Sequence, residues 1–504
     1  MKIIIPLSGQ GRRFVDAGYT DPKPLIKANN IPMVEHVINL FPGETDLVTI
    51  ANRIHIETTQ LRKVLEGLGA KVYVIENHSL GPVYAVLQIL DVIDDDEEVI
   101  ISYTDYGTDW DYSKFKAECG ERDGIIVAYK GFHPHMLFAD NYAFLRMNGH
   151  KVTEVREKES FTSNKMEEYA SNGTYYFRRG FYVKKYFKEL IEKGINKNGE
   201  YYVSLVYNLM IADNLNIGVF EIERMLQWGT PRDLEIYNTW ADIFSRTQIV
   251  PKSKATLILP MAGRGSRFSM VGYTDPKPLL PVNGQPMIVS AVKCLPECNH
   301  KIFITLNTHL HSYDLAPTLR AAFKDIEIIG IDDVTEGQAC TSTVGIQRLS
   351  PSTPILISAC DNGVMYDADK YAALEADSSI DVIVWSFHNN PTSKLYPHMY
   401  AWLDVTSDSR ISRVSVKKHF SGAQHAIIGT MYFRTAKIYN EGYAVILEKN
   451  IRTNGEFYVD DLLNPLIEKG YKVVNFPVDY YLCWGTPNDY KTYNYMQSHF
   501  CQSK

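Results

Sequence analysis

The chain has 504 residues, 52 Lys and Arg against 59 Asp and Glu, and a formal net charge of −7. That balance argues against a protein whose main work is gripping a nucleic-acid backbone, which needs a basic face; it leaves room for a small basic pocket around one phosphate compound. With 45% hydrophobic and 22% charged residues the composition is that of a soluble globular protein, which excludes disordered and fibrous architectures. In chain order, the opening Met1-Lys-Ile-Ile-Ile-Pro6 is too short an apolar run for a signal peptide and lacks a small-residue cleavage site. Strand-like runs follow at 3–7, 47–50, 72–75 and 99–103, separated by helical stretches at 33–40 and 83–93. Short apolar strands alternating with helices predict a largely parallel sheet with helices on both faces. In such sheets ligands bind at the carboxyl ends of the strands, near a switch point. No run of about 18 apolar residues occurs, so no membrane span is expected. Seven cysteines, an odd number in so long a chain, fit reduced thiols and a cytoplasmic location. Cys294 and Cys298 have no further Cys or His cluster to complete a zinc site and are expected to be packing residues.

A typical domain of about 150 residues would suggest three domains, but an internal repeat gives a different count. Gly18-Tyr-Thr-Asp-Pro-Lys-Pro-Leu25 recurs unchanged at Gly272 to Leu279. Around it Gly9, Gly11, Arg13 and Phe14 return as Gly263, Gly265, Arg267 and Phe268. Further on Gly81 matches Gly337, Asp105 matches Asp361, Gly199-Glu200 matches Gly455-Glu456, and Trp228-Gly-Thr-Pro231 matches Trp484-Gly-Thr-Pro487. The period is too long for a solenoid, so each copy is a domain with its own core: residues 1–244, a polar linker over 245–254, and 255–504. The fold class is α/β, two tandem Rossmann-like domains.

Each copy carries a strand, then Gly-x-Gly-x-Arg-Phe, then Pro-Lys-Pro-Leu. Gly9 and Gly11, like Gly263 and Gly265, let backbone N–H groups wrap a phosphate. Arg13 and Arg267 can fork onto phosphate oxygens, and Lys23 and Lys277 add a point charge. Phe14 and Phe268 stand where a Rossmann fingerprint wants a third glycine, and the P-loop Gly-Lys-Ser/Thr is absent. Gly81 and Gly337 open helices, where backbone groups are available to the edge of a base; the following residues differ between copies, Pro-Val-Tyr-Ala against Gln-Ala-Cys-Thr. Asp105 and Asp361 end strands, where a carboxylate beside phosphates is a natural Mg²⁺ ligand; in isolation such an Asp is more often a turn former. Asp109, Asp111 and Asp369 are weaker candidates, expected to be solvated.

These motifs resemble the signature of the nucleoside-diphosphate-sugar pyrophosphorylases, the sugar-1-phosphate nucleotidyltransferases, with phosphocholine cytidylyltransferase-like enzymes as a nearby branch. The resemblance covers nearly all of both halves. It implies a GT-A-like fold, a nucleoside triphosphate, a small phosphorylated acceptor (a sugar 1-phosphate, an amino-alcohol phosphate or a polyol phosphate), Mg²⁺, and pyrophosphate as leaving group. Precursor supply for a surface polysaccharide is the setting it implies. By the same resemblance Arg13 and Arg267 hold the triphosphate, Lys23 and Lys277 lie near the reacting phosphates, and the Gly81 and Gly337 loops choose the nucleotide. Glu157-Lys158 looks like the family's acceptor-binding Glu-Lys pair; the second half keeps Lys417 but has Val416 at the Glu position. Related enzymes carry a second metal carboxylate two residues before the Gly-Thr-Pro turn, where this chain has Gln227 and Cys483. Either another group supplies that charge, such as Glu200 and Glu456, with Asp460 and Asp461 as extra options in the second half, or one carboxylate suffices. Tyr142, Tyr400, Trp228 and Trp484 are expected in the core or pocket walls.

Three alternatives stay open. One half is a silent nucleotide-binding copy; or the two halves take distinct acceptors, as the Glu157/Val416 difference favours; or the chain is a GT-A glycosyltransferase, against which the missing Asp-x-Asp counts. Partners are the two small substrates, with no nucleic acid; homo-oligomer formation is left open.

Overall fold

The structure, a computed structural model, describes residues 1–388 and 396–502. The chain forms two compact units, Met1–Phe244 together with the chain end from Ser498, and Ser245–Gln497. The segment 245–254 is counted in the second unit, where Lys252–Ser253 pairs with Glu297–Cys298.

In the first unit Lys71–Ile75, Asp46–Asn52, Lys2–Leu7 and Val99–Ser102 lie side by side, all parallel. Beyond them Tyr169–Phe177 runs antiparallel to Val99–Ser102 and to Gly124–Tyr129, and Ile217–Glu221 completes the row parallel to Gly124–Tyr129. A hairpin of Ala143–Asn148 and Lys151–Glu157 joins beside the first residues of Tyr169–Phe177. The central strand shows why this sheet is covered on both faces. Ile4 packs into one apolar cluster, Ile3 and Ile5 into the other, and all three are fully buried. Sequential strands move outward from Lys2–Leu7 on one side and then cross to Val99–Ser102 on the other, so the order reverses between these two strands. Their carboxyl ends make the crevice where open α/β sheets bind ligands.

The second unit repeats the plan. Ile326–Ile331, Lys301–Leu306, Thr256–Pro260 and Ile355–Ile357 are parallel, His425–Phe433 is antiparallel, and Val382–Phe387 and Val473–Pro477 follow. Ile258 faces one cluster, Leu257 and Leu259 the other.

Two helices are shorter than their apolar patterns suggest. The one expected over 33–40 ends at Ile38, and the one expected over 83–93 ends at Leu87, because Ile89 leaves helical geometry at φ −128° and the chain re-enters only a 3₁₀ turn at Leu90–Val92. All seven cysteines are free, with Cys298 fully buried and Cys294 donating to the Ser290 carbonyl. Among the described residues no helix is long and apolar enough to cross a membrane.

Candidate active site

The glycine loop follows the Lys2–Leu7 strand directly and is held from its neighbours. Asn52, ending the adjacent strand, donates to the Ser8 carbonyl, and Ser8 Oγ lies 3.0 Å from His78 Nε2. Gly11 takes a left-handed conformation (φ +62°) and starts the short helix Arg12–Asp16; Gly265 does the same (φ +64°) before Ser266–Ser269. A side chain there would meet strain and, at Gly11, the Lys23 Cβ 3.4 Å away. Phe14 and Phe268, 2% exposed, plug these helices into the core and pack edge-on against Tyr19 and Tyr273. That explains the missing third glycine: the position anchors the loop. Arg13 and Arg267 are left exposed beside it.

Pro22 and Pro24 flank Lys23 in a one-turn 3₁₀ helix that turns its ammonium across the switch point to Asp105. Lys23 Nζ sits 2.7 Å from Asp105 Oδ2, and Lys277 Nζ sits 2.6 Å from Asp361 Oδ2. Burial works to lower the Lys277 ammonium, yet the negative charge of Asp361 overcomes it and the group ends raised. Burial likewise works to raise Asp361, and Lys277 with Arg267 holds it below the usual carboxylate range.

After each aspartate the chain enters a two-stranded ribbon, Tyr106–Asp109 with Arg224–Gln227 and Asn362–Met365 with Tyr480–Cys483. This brings Gln227 and Asp105 together on Gly229, where an added Cβ would stand 2.7 Å from Gln227 Nε2 and 3.0 Å from Asp105 Oδ2. In the second unit Asp361 and Cys483 meet at Gly485 in the same way. The two departures from the expected carboxylate therefore lie beside the strand-end aspartates. Trp228 and Trp484 are buried beneath, against Gly107 and Gly363.

A carboxylate not singled out from the sequence comes next to them. Thr230 Oγ1 donates to Asp233 Oδ2 at 2.7 Å, and Thr486 Oγ1 to Asp489 Oδ2 at 2.7 Å, each Asp lying in the first turn of the helix after the Gly-Thr-Pro turn. Burial raises both carboxyls, and the negative charges of Asp105 and Asp361 add to the rise; Arg13 and Arg267 pull them down. Asp233 and Asp489 thus share the field of the Lys–Asp pair and the loop arginine. The signal was present as Trp-Gly-Thr-Pro-x-Asp, repeated in both halves.

On the other side of the pocket Lys158 and Lys417 both adopt φ +56°. Lys158 Nζ donates to Tyr202 Oη, which donates to Glu200, so Glu200 stands with this lysine. Glu157 is buried and accepts from Ser204 Oγ at 2.6 Å; burial raises its carboxyl. Lys417 donates to the Met399 carbonyl over the Tyr458 ring, and burial lowers its ammonium despite the opposing charges of Asp460, Glu456 and Asp361. Glu456 is exposed, while Asp461 is buried and accepts from Thr453. Tyr142 and Tyr400 are buried within the field of Asp105 and Asp361.

Gly81 and Gly337 are demanded by close packing: an added Cβ would lie 2.9 Å from the Tyr201 backbone and 2.5 Å from the Phe457 carbonyl oxygen. They pin the helix start to the loops carrying Glu200 and Glu456. One expectation needs correction: Asp109 is not solvated but held by Arg224 at 3.1 Å and His499 at 3.0 Å. Asp111 is exposed, as expected, and caps a helix by accepting from the Lys114 amide. Asp369 lies in the first turn of Ala368–Ala376.

Among the described residues no group of three or more His, Cys, Asp or Glu side chains comes together to hold a metal ion alone. The carboxylates could hold a divalent cation whose shell phosphate oxygens and waters complete: Asp105 with Asp233, and Asp361 with Asp489.

An open α/β sheet with a glycine loop, arginine, lysine and aspartate gathered at its switch point defines a domain that handles nucleoside triphosphates, and this chain builds it twice. Residues 2–223 match the family model described as nucleotidyl transferase, and residues 257–415 match that of the MobA-like NTP transferase domain. The chain belongs to the nucleotidyltransferases, as two domains in tandem, and is a nucleotidyltransferase enzyme. Among solved structures it is similar to a nucleoside-diphosphate-sugar pyrophosphorylase from Vibrio cholerae RC9, at 22% identity over 47% of this chain and 99% of that one, with a TM-score of 0.39. It is also similar to the inositol-1-phosphate CTP transferase from T. maritima, at 17% identity over 47% of this chain and 93% of that one, with a TM-score of 0.37. No curated protein matches the chain.

Proposed function

We propose that each half transfers a nucleotidyl group from a nucleoside triphosphate to a small phosphomonoester and releases pyrophosphate. The observation that carries this is the ion pair Lys23–Asp105, repeated as Lys277–Asp361, at the switch point of each sheet. The glycine loop and Arg13 (Arg267) bind the triphosphate, and Lys158 (Lys417) holds the acceptor phosphate. An acceptor oxygen forms its bond to the α-phosphorus as the bond to the bridging oxygen breaks, and that oxygen leaves with the electron pair on pyrophosphate. Chemistry of this kind rests on positioning and charge stabilisation, which accounts for a site of glycine, arginine, lysine and carboxylate without a nucleophile pair. Mg²⁺ held by Asp105 with Asp233, or Asp361 with Asp489, would supply charge neutralisation at the phosphates. Lys23 and Lys277 hold the strand-end carboxylates in place for that role, and Lys277 favours the ionised form of Asp361.

The acceptor in the first half is a polyhydroxylated phosphate such as a sugar or polyol phosphate, because Glu157 and Ser204 set a carboxylate and a hydroxyl at Lys158. Pyrophosphate release from the full chain, across nucleoside triphosphates and phosphorylated acceptors, tests the reading in wild type, Asp105→Asn and Asp361→Asn. Two active halves give two separable acceptor preferences, each removed by one substitution. Loss of all turnover from only one substitution marks the other half as silent. Turnover of every pair unaffected by both together overturns the proposal.

A further inference from the structure

The acceptor side of the two halves can be aligned by hydrogen bonds alone. Asn208 clamps Val155, accepting from its N–H at 2.8 Å and donating to its carbonyl at 2.9 Å; Asn464 clamps Val414 identically, at 2.9 and 2.8 Å. Counting two residues on from the clamped valine gives Glu157 in one half and Val416 in the other, and the next residue is the left-handed lysine in both. Counting four residues back from the clamping asparagine gives Ser204 and Asp460. Ser204 Oγ is 2.6 Å from Glu157 Oε2, so these two positions face each other. The first half therefore pairs Glu with Ser, and the second pairs Val with Asp. The carboxylate has moved from the strand to the opposing helical turn.

A structural duty for Asp460 does not account for this exchange. The turn Val459–Leu462 has Tyr458 at its N-cap and no side-chain cap, so Asp460 caps nothing. Among the described residues its carboxylate makes no hydrogen bond or close ion pair, and burial pushes it up to about 6 against the pull of Lys417. The cation acting on Asp460 is Lys417, which also feels Glu456 and Asp361, and Asp460 comes first among these carboxylates. Asp460 thus belongs with the acceptor lysine. Opposite it, Val416 packs against the apolar cluster containing Val459 and Leu462, and Lys417 Nζ lies 5.4 Å from the Tyr458 ring centre.

We propose that Asp460 is the acceptor-reading carboxylate of the second half, and that this half takes a hydroxyl-poor phosphomonoester whose single polar or cationic group meets Asp460 while its carbon skeleton lies against Val416 and Tyr458. The proposal rests on the nucleotidyltransferase reading of the second half. An unpaired carboxylate beside an aliphatic wall and an aromatic ring suits one donor or cation on an otherwise apolar acceptor. A polyol would leave further hydroxyls unpaired there.

The test uses the full chain carrying Asp105→Asn, so that turnover reports the second half, with glucose 1-phosphate, glycerol 3-phosphate, phosphoethanolamine and phosphocholine as probes. Adding Asp460→Asn is expected to raise the KM of the preferred acceptor at least tenfold and leave the nucleoside triphosphate KM within twofold. Adding Val416→Glu with Asp460→Ser is expected to shift preference at least tenfold toward glucose 1-phosphate. Preference for phosphoethanolamine and phosphocholine assigns a cationic group to Asp460; preference for glycerol 3-phosphate, a polyol phosphate with two hydroxyls, overturns the hydroxyl-poor reading. A wild-type preference for glucose 1-phosphate, an unchanged acceptor KM in Asp460→Asn, or an equal rise in both KM values overturns the inference. If the second half releases no pyrophosphate with any pair, the transferase reading of that half fails. Calorimetric binding of the same probes then decides: weaker binding on Asp460→Asn supports the site, and equal or absent binding in both proteins overturns it.

Discussion

Alanine at Gly9 or Gly263 separates what the fold needs from what a phosphate needs. Neither glycine takes a left-handed conformation, and an added Cβ at either finds no heavy atom within 4 Å. For the free protein the change relieves unfolded-state freedom and adds no clash, so stability should stay within about 0.5 kcal/mol or rise by up to about 1 kcal/mol. A triphosphate against the same backbone meets the new methyl. Displacing even one N–H contact to a charged oxygen costs about 1.5–3 kcal/mol, roughly 10- to 150-fold in affinity. The neighbouring Gly11→Ala and Gly265→Ala behave differently: with φ at +62° and +64° they lose about 1–2 kcal/mol of fold stability before any ligand is present. The assay is a thermal melt of each variant with and without nucleoside triphosphate, alongside the KM of the half concerned. Should Gly9→Ala and Gly263→Ala keep both their melting temperature and their nucleotide KM, the loop is not the phosphate cradle.

Three further outcomes follow from the same geometry. Lys277→Met strands the Asp361 carboxylate, whose attraction at 2.6 Å is about 6 kcal/mol before desolvation at an effective dielectric of 20; a thermal double-mutant cycle with Asp361→Asn should show coupling of about 1–3 kcal/mol, and additive effects refute the pairing. Gly337→Ala drives a Cβ to 2.5 Å from the Phe457 carbonyl oxygen at φ +137°, costing about 3 kcal/mol or more and silencing the second half while first-half pyrophosphate release persists; unchanged second-half kinetics would contradict this. Burial, with Arg224 nearby, lowers the His133 imidazole to about 4. Below its unfolded pKa of about 6.5 the unfolded chain binds the extra proton, so this contribution is full above pH 6.5 and lost as pH falls toward 4, up to about 3 kcal/mol. Denaturant titrations should show a shallower acid slope in His133→Asn, and an identical slope in both proteins counts against it.

How much of this was legible depended on whether a residue's partner lies near in sequence. The α/β class and the switch point followed from apolar runs and their spacing, because a parallel strand covered on both faces is apolar throughout, as Ile3-Ile4-Ile5 is. The direction of Tyr169–Phe177 was not legible, since pairing with Val99–Ser102 and Gly124–Tyr129 fixes it and no residue in the strand encodes it. Lys23 and Asp105 were each visible as repeated chemistry, but their meeting is tertiary. Asp233 and Asp489 were hidden by a local duty: Thr-x-x-Asp at a helix start reads as a cap, and Thr230 and Thr486 do bond to them.

The acceptor side shows the same limit more sharply, and it bears on why one chain carries two sites. From sequence, Val416 looks like the loss of a pocket carboxylate. Its replacement, Asp460, sits 44 positions further along the chain and becomes recognisable only through the clamps of Asn208 and Asn464. A pocket that had simply decayed would have no reason to keep a partly buried, unpaired carboxylate at that spot, because even partial desolvation of a charge is costly. The second half bears that cost at Asp460 while retaining its glycine loop, Arg267, Lys277, Asp361 and Lys417. Retention of the shared triphosphate machinery with a changed acceptor wall fits the proposal of two different acceptors; a silent nucleotide-binding copy would account for the glycine loop and Arg267 but not for Asp460.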